Sequence, residues 1–182
     1  MKTKNKRIII WRIISLIMLI ATCIIIFLFS AQNGEQSSGI SRGTIYHIIQ
    51  IFTKDENEIK YWIYVLEPTI RKLAHFTIYT ILGIWAMSFN STFNIKDTKK
   101  IGVSAIIGCI YACTDEFHQS FLDARTASIC DVMIDTLGAT FGAMLVMLCI
   151  QLLKKQNGFT IQGLCHLWNY AIIFLSWLAL QL

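Results

Sequence analysis

Charged residues and proline are both scarce in this sequence. Only 15% of the 182 residues are charged and a single proline is present, whereas 55% are hydrophobic. A typical soluble domain is about 25% charged, so the composition disfavours a soluble domain and favours a membrane protein. With one proline to interrupt them, the apolar runs are expected to form long helices.

Three further absences narrow the functional classes. The six cysteines show no C-x-x-C spacing and fall mostly inside apolar runs, which indicates neither a disulfide framework nor a zinc site. No G-x-S-x-G or comparable nucleophile motif occurs. The net charge of +5 does not indicate a nucleic-acid partner, because the basic residues punctuate the apolar runs instead of gathering on a binding module.

Four strong apolar runs and a weaker fifth predict an all-α, polytopic transmembrane bundle of four to five spans. Each strong run approaches the roughly 20 residues that a helix needs to cross a bilayer. The runs cover residues 8–29, 68–89, 101–119, 131–153 and, more weakly, 164–182. Pro68 is expected in the first turn of the second span, where its missing N–H is tolerated.

The connection between the first two spans is too polar to cross a membrane. Residues 40–52 and 58–66 repeat apolar side chains at helical spacing, which predicts short amphipathic helices. These helices either lie in the outer membrane interface or pack on the bundle as ordinary surface helices.

Lysine and arginine near the ends of the runs indicate the orientation. They occur in the leader "MKTKNKR", in the loop "IKDTKK" and at the Lys154–Lys155 pair. If the first span runs outward, all three sites are cytoplasmic and every alternate connection agrees. The N-terminus is therefore predicted to be cytoplasmic, with residues 31–67 and 120–130 outside.

Ionisable residues gather at one level, at the outer ends of the second, third and fourth runs. Residues three or four apart share a helix face, and this spacing gives three polar stripes. The stripes are Arg71, His75 and Tyr79; Gly108, Tyr111, Asp115, His118 and Gln119; and Asp131, Asp135, Gly138 and Gly142. Ionisable groups in spans usually face the bundle interior, so we expect the stripes to share one site. The two glycines of the third stripe would let a neighbouring helix approach closely.

Helix dipoles support pairing between the second and third helices. Arg71 and Lys72 fall near the N-terminus predicted for one, and Asp115 and Glu116 near the C-terminus of the other. Charges of these signs are disfavoured there by about 0.3–1 kcal/mol at exposed sites. Mutual pairing, or a ligand that contacts both signs, would offset this cost.

Asp131 has a structural alternative to a role in the site. It follows Ser128 at the spacing of a capping box, and an acidic residue in the first turn of a helix is favourable. Asp135 lies one turn deeper, where capping does not explain it.

Four stretches of the sequence, taken in order, resemble the VanZ-like family of bacterial membrane proteins. They are "FSAQNGEQSSGIS", "RKLAHFTIYTILG", "YACTDEFHQSFLDAR" and "DVMIDTLGATFG", which cover most of residues 25–150. The resemblance implies an integral protein of the bacterial cytoplasmic membrane, related to a teicoplanin-resistance accessory factor found beside vancomycin-type resistance genes. We expect a VanZ-like transmembrane domain over residues 1–155 and a C-terminal extension, with the fifth run, over residues 156–182. The family's reaction does not follow from the resemblance.

The first functional hypothesis is an envelope protein that binds or processes an anionic lipid-linked or cell-wall precursor substrate. The residues predicted to bind the substrate are Arg71, Lys72, Tyr79, Gln119, Arg125 and Asp131. The residues predicted to carry chemistry are His75 and His118 as proton carriers, with Asp115, Glu116 and Asp135 to orient them or to hold a divalent cation. Membrane lipid and a glycopeptide are the other expected partners.

Two alternatives remain open. One is a small proton-coupled transporter or flippase, although the inner halves of the runs offer no continuous polar path unless the chain forms oligomers. The other is a non-catalytic membrane partner whose ionic cluster is structural. Acidic residues outnumber basic ones at the predicted site, which favours a bound cation, an added proton or a ligand over purely mutual pairing. The sequence leaves open whether the chain is an enzyme.

Overall fold

The computed structural model describes residues 2–31, 34–121 and 127–157. This part of the chain contains five α-helices and no strand, so the predicted all-α class is confirmed. The helices are α1 (Lys2–Ser30), α2 (Gly34–Ile49), α3 (Glu56–Asn90), α4 (Asp97–Gln119) and α5 (Ile129–Asn157). The fifth apolar run lies outside the described residues.

Two helices in the described part of the chain are long and apolar enough to cross a membrane. They are Asn5–Ser30 within α1 and Ile129–Leu153 within α5, and only 22% and 33% of their apolar windows are buried. The core helix of a soluble protein would be mostly buried, whereas a helix that faces lipid keeps an apolar surface outside. Both helices are therefore consistent with a membrane protein, and they are two clear candidates among the four to five predicted spans.

The central contact of the bundle is a parallel pairing of α3 and α5 along glycines. A Cβ built on Gly138 would lie 2.6 Å from the Phe76 carbonyl oxygen, and one on Gly142 would collide with the Thr80 carbonyl. These positions have no room for a side chain, so the two backbones touch. The predicted role of the two glycines is confirmed. Gly83 makes the same kind of contact from the α3 side.

The four long helices alternate in direction. At one end, the Arg12 guanidinium bonds to the Thr92 carbonyl at 3.1 Å and lies 4.2 Å from the centre of the Phe93 ring, which ties the start of α1 to the loop after α3. At the other end, the rings of Phe27 and His118 are 4.8 Å apart, which places the ends of α1 and α4 together. The end of α4 and the start of α5 therefore meet at the second end of the bundle, which also contains the middle of α3.

Pro68 does not begin a helix, which corrects the predicted start of the second span. α3 starts at Glu56, where the Asp55 side chain accepts a hydrogen bond from the Asn57 N–H at 2.9 Å. Pro68 and Tyr64 are both exposed. Proline has no N–H, so the carbonyl of Tyr64, four residues earlier, receives no helical hydrogen bond from position 68. Because that carbonyl lies on the exposed side, the helix continues through the proline. The separate helix predicted over residues 58–66 is the first part of α3.

The helix α2 packs on this first part of α3. Ile45 of α2 and Ile59 of α3 are each 1% exposed, while Ile48, one turn after Ile45, is 47% exposed. The apolar side of α2 therefore covers α3 with part of its surface and leaves another part outside. The packing of α2 on the bundle is confirmed, and its position in the outer membrane interface stays a prediction.

Candidate functional site

A pocket of about 230 Å³ opens between α3, α4 and α5 at the second end of the bundle. All three predicted polar stripes contribute to it. The lining residues are Glu67, Pro68, Arg71, Lys72 and His75 from α3, Glu116 and Gln119 from α4, and Asp131, Ile134 and Asp135 from α5. Seven of the eleven residues predicted for the site therefore line a single cavity.

His75 and Asp135 line the bottom of the pocket and Asp115 lies directly beneath them; we call these three residues the floor. Asp135 has no exposed surface, and its Oδ2 lies 3.6 Å from the Nδ1 of His75, which keeps 31% of its side chain exposed. Asp115, 5% exposed, lies beneath the lining and accepts a 3.0 Å hydrogen bond from the Gln119 amide. One potential ligand atom from each of these three residues falls within 4.8 Å of the others. Tyr79 is fully buried next to Asp115 and therefore lies under the pocket, not in its wall.

Glu116 connects the end of α4 to the start of α5. Its Oε2 accepts a 2.8 Å hydrogen bond from the backbone N–H of Ser128, one residue before α5 begins. In a capping box this donor would bond to the side chain of Asp131. Because Glu116 accepts this hydrogen bond, Asp131 does not complete a capping box, although it does lie in the first turn of α5, where an acidic residue is favourable. Its carboxylate is also part of the pocket wall.

Arg71 and Lys72 form the basic side of the pocket. α3 begins at Glu56, so both residues lie roughly four turns inside the helix. The helix dipole acts within the first and last turns, and the predicted dipole penalty on these two cations is therefore wrong. Within the described ranges, neither cation forms a salt bridge.

Glu67 is a pocket residue that the sequence interpretation missed. It lies four residues before Arg71 and so extends the stripe of Arg71 and His75 by one turn. This spacing could have identified Glu67, but the prediction that the helix starts at Pro68 left Glu67 outside it. The Nε of Arg42 in α2 lies 2.8 Å from Glu67 Oε2. Burial alone would raise the pKa of Glu67, but hydrogen bonds from Arg42 and Ser38 and the charges of Arg42 and Arg71 together hold the pKa below its usual range. Glu67 is therefore ionised and engaged by α2.

His118 lies outside the pocket, which corrects its predicted place in the site. Its ring packs on Phe27, and the Tyr111 hydroxyl donates to the Cys23 carbonyl, so this face of α4 contacts α1. Glu116 instead faces α5. The predicted α4 stripe therefore included residues that face α1 and not the pocket. Arg125, the remaining predicted site residue, lies outside the described residues.

The comparison with family models shows the family of the chain. The model for VanZ/LLP1 matches residues 15–150, which is most of the chain. The chain belongs to the VanZ/LLP1 family. No curated protein and no solved structure matches it. The matched range extends from within α1 to within α5, so every residue of the pocket lies in the VanZ/LLP1 region.

Family membership and the apolar helices agree about the class of protein. Both α1 and α5 are consistent with a membrane location, and the predicted resemblance to the VanZ-like family is confirmed. Three of the four stretches that carried this resemblance contribute to the pocket. Those motifs meet in space, because "RKLAH" supplies one wall of the pocket, "DEFHQ" the second and "DVMID" the third. Such an arrangement can hold an anion on the basic wall and hydrogen-bond donors on the acidic walls.

Proposed function

We propose that this VanZ/LLP1 protein is a multi-pass envelope protein that binds an anionic lipid-linked or cell-wall precursor in the pocket between α3, α4 and α5. The observation that carries the proposal is a cavity whose two cations have no salt-bridge partner among the described residues, although acids line the opposite walls. A resistance phenotype against glycopeptides such as teicoplanin is the expected biological readout.

Phosphate or carboxylate oxygens are the groups that suit the basic wall. The Arg71 guanidinium can form two parallel hydrogen bonds to such a group, and the Lys72 ammonium adds a point charge. Because Glu67 is engaged by Arg42 at 2.8 Å, it does not neutralise this wall completely. An anionic headgroup would therefore supply the missing partner.

Hydroxyl or amino groups are what suit the acidic walls. Carboxylates accept hydrogen bonds, and Asp131 is available for this because Glu116 caps α5 in its place. A precursor with an anionic group beside sugar hydroxyls or peptide amines presents both kinds of partner. A simple fatty acid presents only the first.

The apolar surface that the bundle exposes supports four membrane spans, with the pocket near the outer leaflet. Large apolar side chains are exposed on α4 as well as on α1 and α5, including Ile106, Ile110 and Phe117 on α4. We therefore propose that α1, the later part of α3, α4 and α5 all cross the membrane, in a domain over residues 1–155 with residues 156–182 as an extension. The positive-inside rule places the N-terminus and the "IKDTKK" loop in the cytoplasm.

Cysteine accessibility tests this topology. In a cysteine-free background, Phe121→Cys is expected to react with a membrane-impermeant maleimide in intact cells, whereas Lys99→Cys is expected to react only after the membrane is permeabilised. Both positions are exposed in the fold, so the comparison isolates the side of the membrane. Labelling of both positions in intact cells, or of Lys99→Cys alone, would contradict the proposed orientation.

Binding of a polyprenyl phosphate tests the pocket. Arg71→Ala is expected to weaken binding of a short-chain polyprenyl phosphate by about 10- to 100-fold, because a hydrogen bond to a charged group contributes about 1.5–3 kcal/mol. Titration of the purified protein in detergent, followed by native mass spectrometry, measures the change. Lys60→Ala is the matched control, since Lys60 is an exposed α3 cation outside the pocket. Equal binding by wild type and Arg71→Ala would refute the proposal.

A transport path through the bundle is disfavoured by the packing below the pocket. The backbones of α3 and α5 touch at Gly83 and Gly142, and Leu82 and Ala139 are fully buried there. This layer closes the pocket toward the cytoplasmic half.

A purely structural cluster remains the alternative, and it predicts that the exchange Arg71→Glu with Glu116→Arg preserves function. The binding proposal predicts that this exchange destroys it.

A further inference from the structure

We propose that His75, Asp115 and Asp135 bind one divalent cation at the floor of the pocket. The cation would be held by two carboxylates and one imidazole, with its remaining coordination positions open toward Arg71 and Lys72. The site itself follows from the geometry of the three residues, whereas its use in holding the substrate's anionic group rests on the proposed function.

The three side chains come from three different helices and converge on one point. His75 lies on α3, Asp115 on α4 and Asp135 on α5, and their ligand atoms fall within 4.8 Å of one another. With metal–ligand bonds of about 2.1 Å, neighbouring ligand atoms of an octahedral site are roughly 3.0 Å apart. The 3.6 Å between His75 Nδ1 and Asp135 Oδ2 is somewhat longer than that spacing. Small side-chain rotations would bring the three ligand atoms to this distance.

Asp135 gives an independent indication of a ligand. The residue is completely buried and forms an ion pair with His75, whose Nδ1 lies 3.6 Å from Oδ2, while among the described residues Oδ1 has no hydrogen-bond partner. A buried carboxylate that is satisfied on one oxygen only is strongly unfavourable. Asp115, a second buried acid, increases the cost because like charges repel. A divalent cation would neutralise both acids and supply the missing partner.

The surroundings resemble the supporting shell of a metal site. The Gln119 amide donates to Asp115 Oδ2 at 3.0 Å and so fixes the direction of that carboxylate. Hydrogen bonds of this kind orient metal ligands and strengthen binding. His75 retains 31% side-chain exposure and faces the pocket, which provides a route for the ion and room for an outside ligand.

The ligand set favours Mn²⁺ or Mg²⁺ over zinc. Carboxylates suit Mg²⁺ and Mn²⁺, and imidazole suits the transition metals, so two carboxylates with one imidazole fit Mn²⁺ best. Zinc sites usually have more nitrogen or sulfur ligands. A bound cation would also explain how an anion enters a pocket that Glu116, Asp131 and Asp135 make acidic, since the metal converts the floor from negative to neutral.

Manganese binding to the full-length protein in detergent tests the site. Electron paramagnetic resonance detects free Mn²⁺, and wild type is expected to remove one equivalent of the free signal. Asp135→Asn and Asp115→Asn are each expected to weaken the affinity at least about tenfold, because each loses an anionic ligand. Asn is nearly isosteric with Asp and removes a buried charge, so these variants should fold, and circular dichroism verifies their helix content.

Asp97→Asn is the matched control, since Asp97 pairs with Lys100 at the opposite end of the bundle, and it should bind Mn²⁺ as wild type does. A melting temperature that rises with Mn²⁺ in wild type but not in Asp135→Asn would agree. Absence of stoichiometric binding by wild type, or equal binding by Asp135→Asn, means an adventitious ion only and overturns the proposal. Arg71→Ala separates the two proposals, because it should lose the polyprenyl phosphate and retain Mn²⁺.

Discussion

Gly142→Leu is expected to prevent assembly of the bundle. A Cβ at Gly142 collides with the Thr80 carbonyl of α3, and the backbone N–H of Ile84 lies 3.0 Å away from it. Both neighbours belong to a helix backbone, which cannot rotate aside as a side chain can. Inserting a large side chain into such a contact destabilises the fold by about 3 kcal/mol or more. The yield of monodisperse protein after membrane extraction, together with its melting temperature, measures this effect.

A graded series and a matched glycine make the test specific. Gly142→Ala should lower the melting temperature less than Gly142→Leu, because only a methyl group must be accommodated. Gly102→Ala is the control, since a Cβ there meets nothing within 4 Å and alanine favours a helix interior by about 0.5–1 kcal/mol. If Gly142→Leu melts at the same temperature as wild type, α3 and α5 do not touch along their backbones.

His75→Ala is expected to abolish the proposed envelope function while leaving protein in the membrane. His75 borders the pocket, lies 3.6 Å from Asp135, and is half of the contact between α3 and α5 at the floor. The substitution removes one of the three proposed metal ligands and the only imidazole that lines the pocket among the described residues, since His118 faces α1. Any reaction or binding that depends on the floor should therefore fail.

Complementation of a deletion strain measures the result. The host is one whose teicoplanin susceptibility falls when the intact gene is expressed. A strain that expresses His75→Ala should be as susceptible to teicoplanin as the deletion strain. Immunoblotting of membranes should show unchanged protein. His47→Ala is the control, because His47 is exposed on α2 away from the pocket. Full complementation by His75→Ala would show that the pocket floor is dispensable.

Much of the site was predictable from spacing along the chain. Arg71 and His75 lie four residues apart, as do Asp131 and Asp135, and a helix necessarily puts each pair on one face. Gly138 and Gly142 follow the same rule and signal close helix contact. Since α3 and α5 run parallel through this contact, the two faces meet at one level, and Asp135 comes near His75.

Residues of α4 were harder to assign because that helix has two sets of neighbours. Tyr111 and His118 turn toward α1, whereas Glu116 and Gln119 turn toward α3 and α5. These directions differ by only part of a helical turn. Periodicity gives the relative angle between residues of one helix, but the absolute direction depends on which neighbours pack against it.

Composition and periodicity along the chain were enough to predict the all-α class and the convergence of polar residues from three helices, since these depend on local geometry and on the exclusion of charge from lipid. The division of labour between Glu116 and Asp131, the passage of α3 through Pro68, and the engagement of Glu67 by Arg42 required the packed bundle. Each of these three features depends on a partner from another part of the chain or on which helix face is left exposed. The spacing of neighbouring residues encodes neither the partner nor the exposed face.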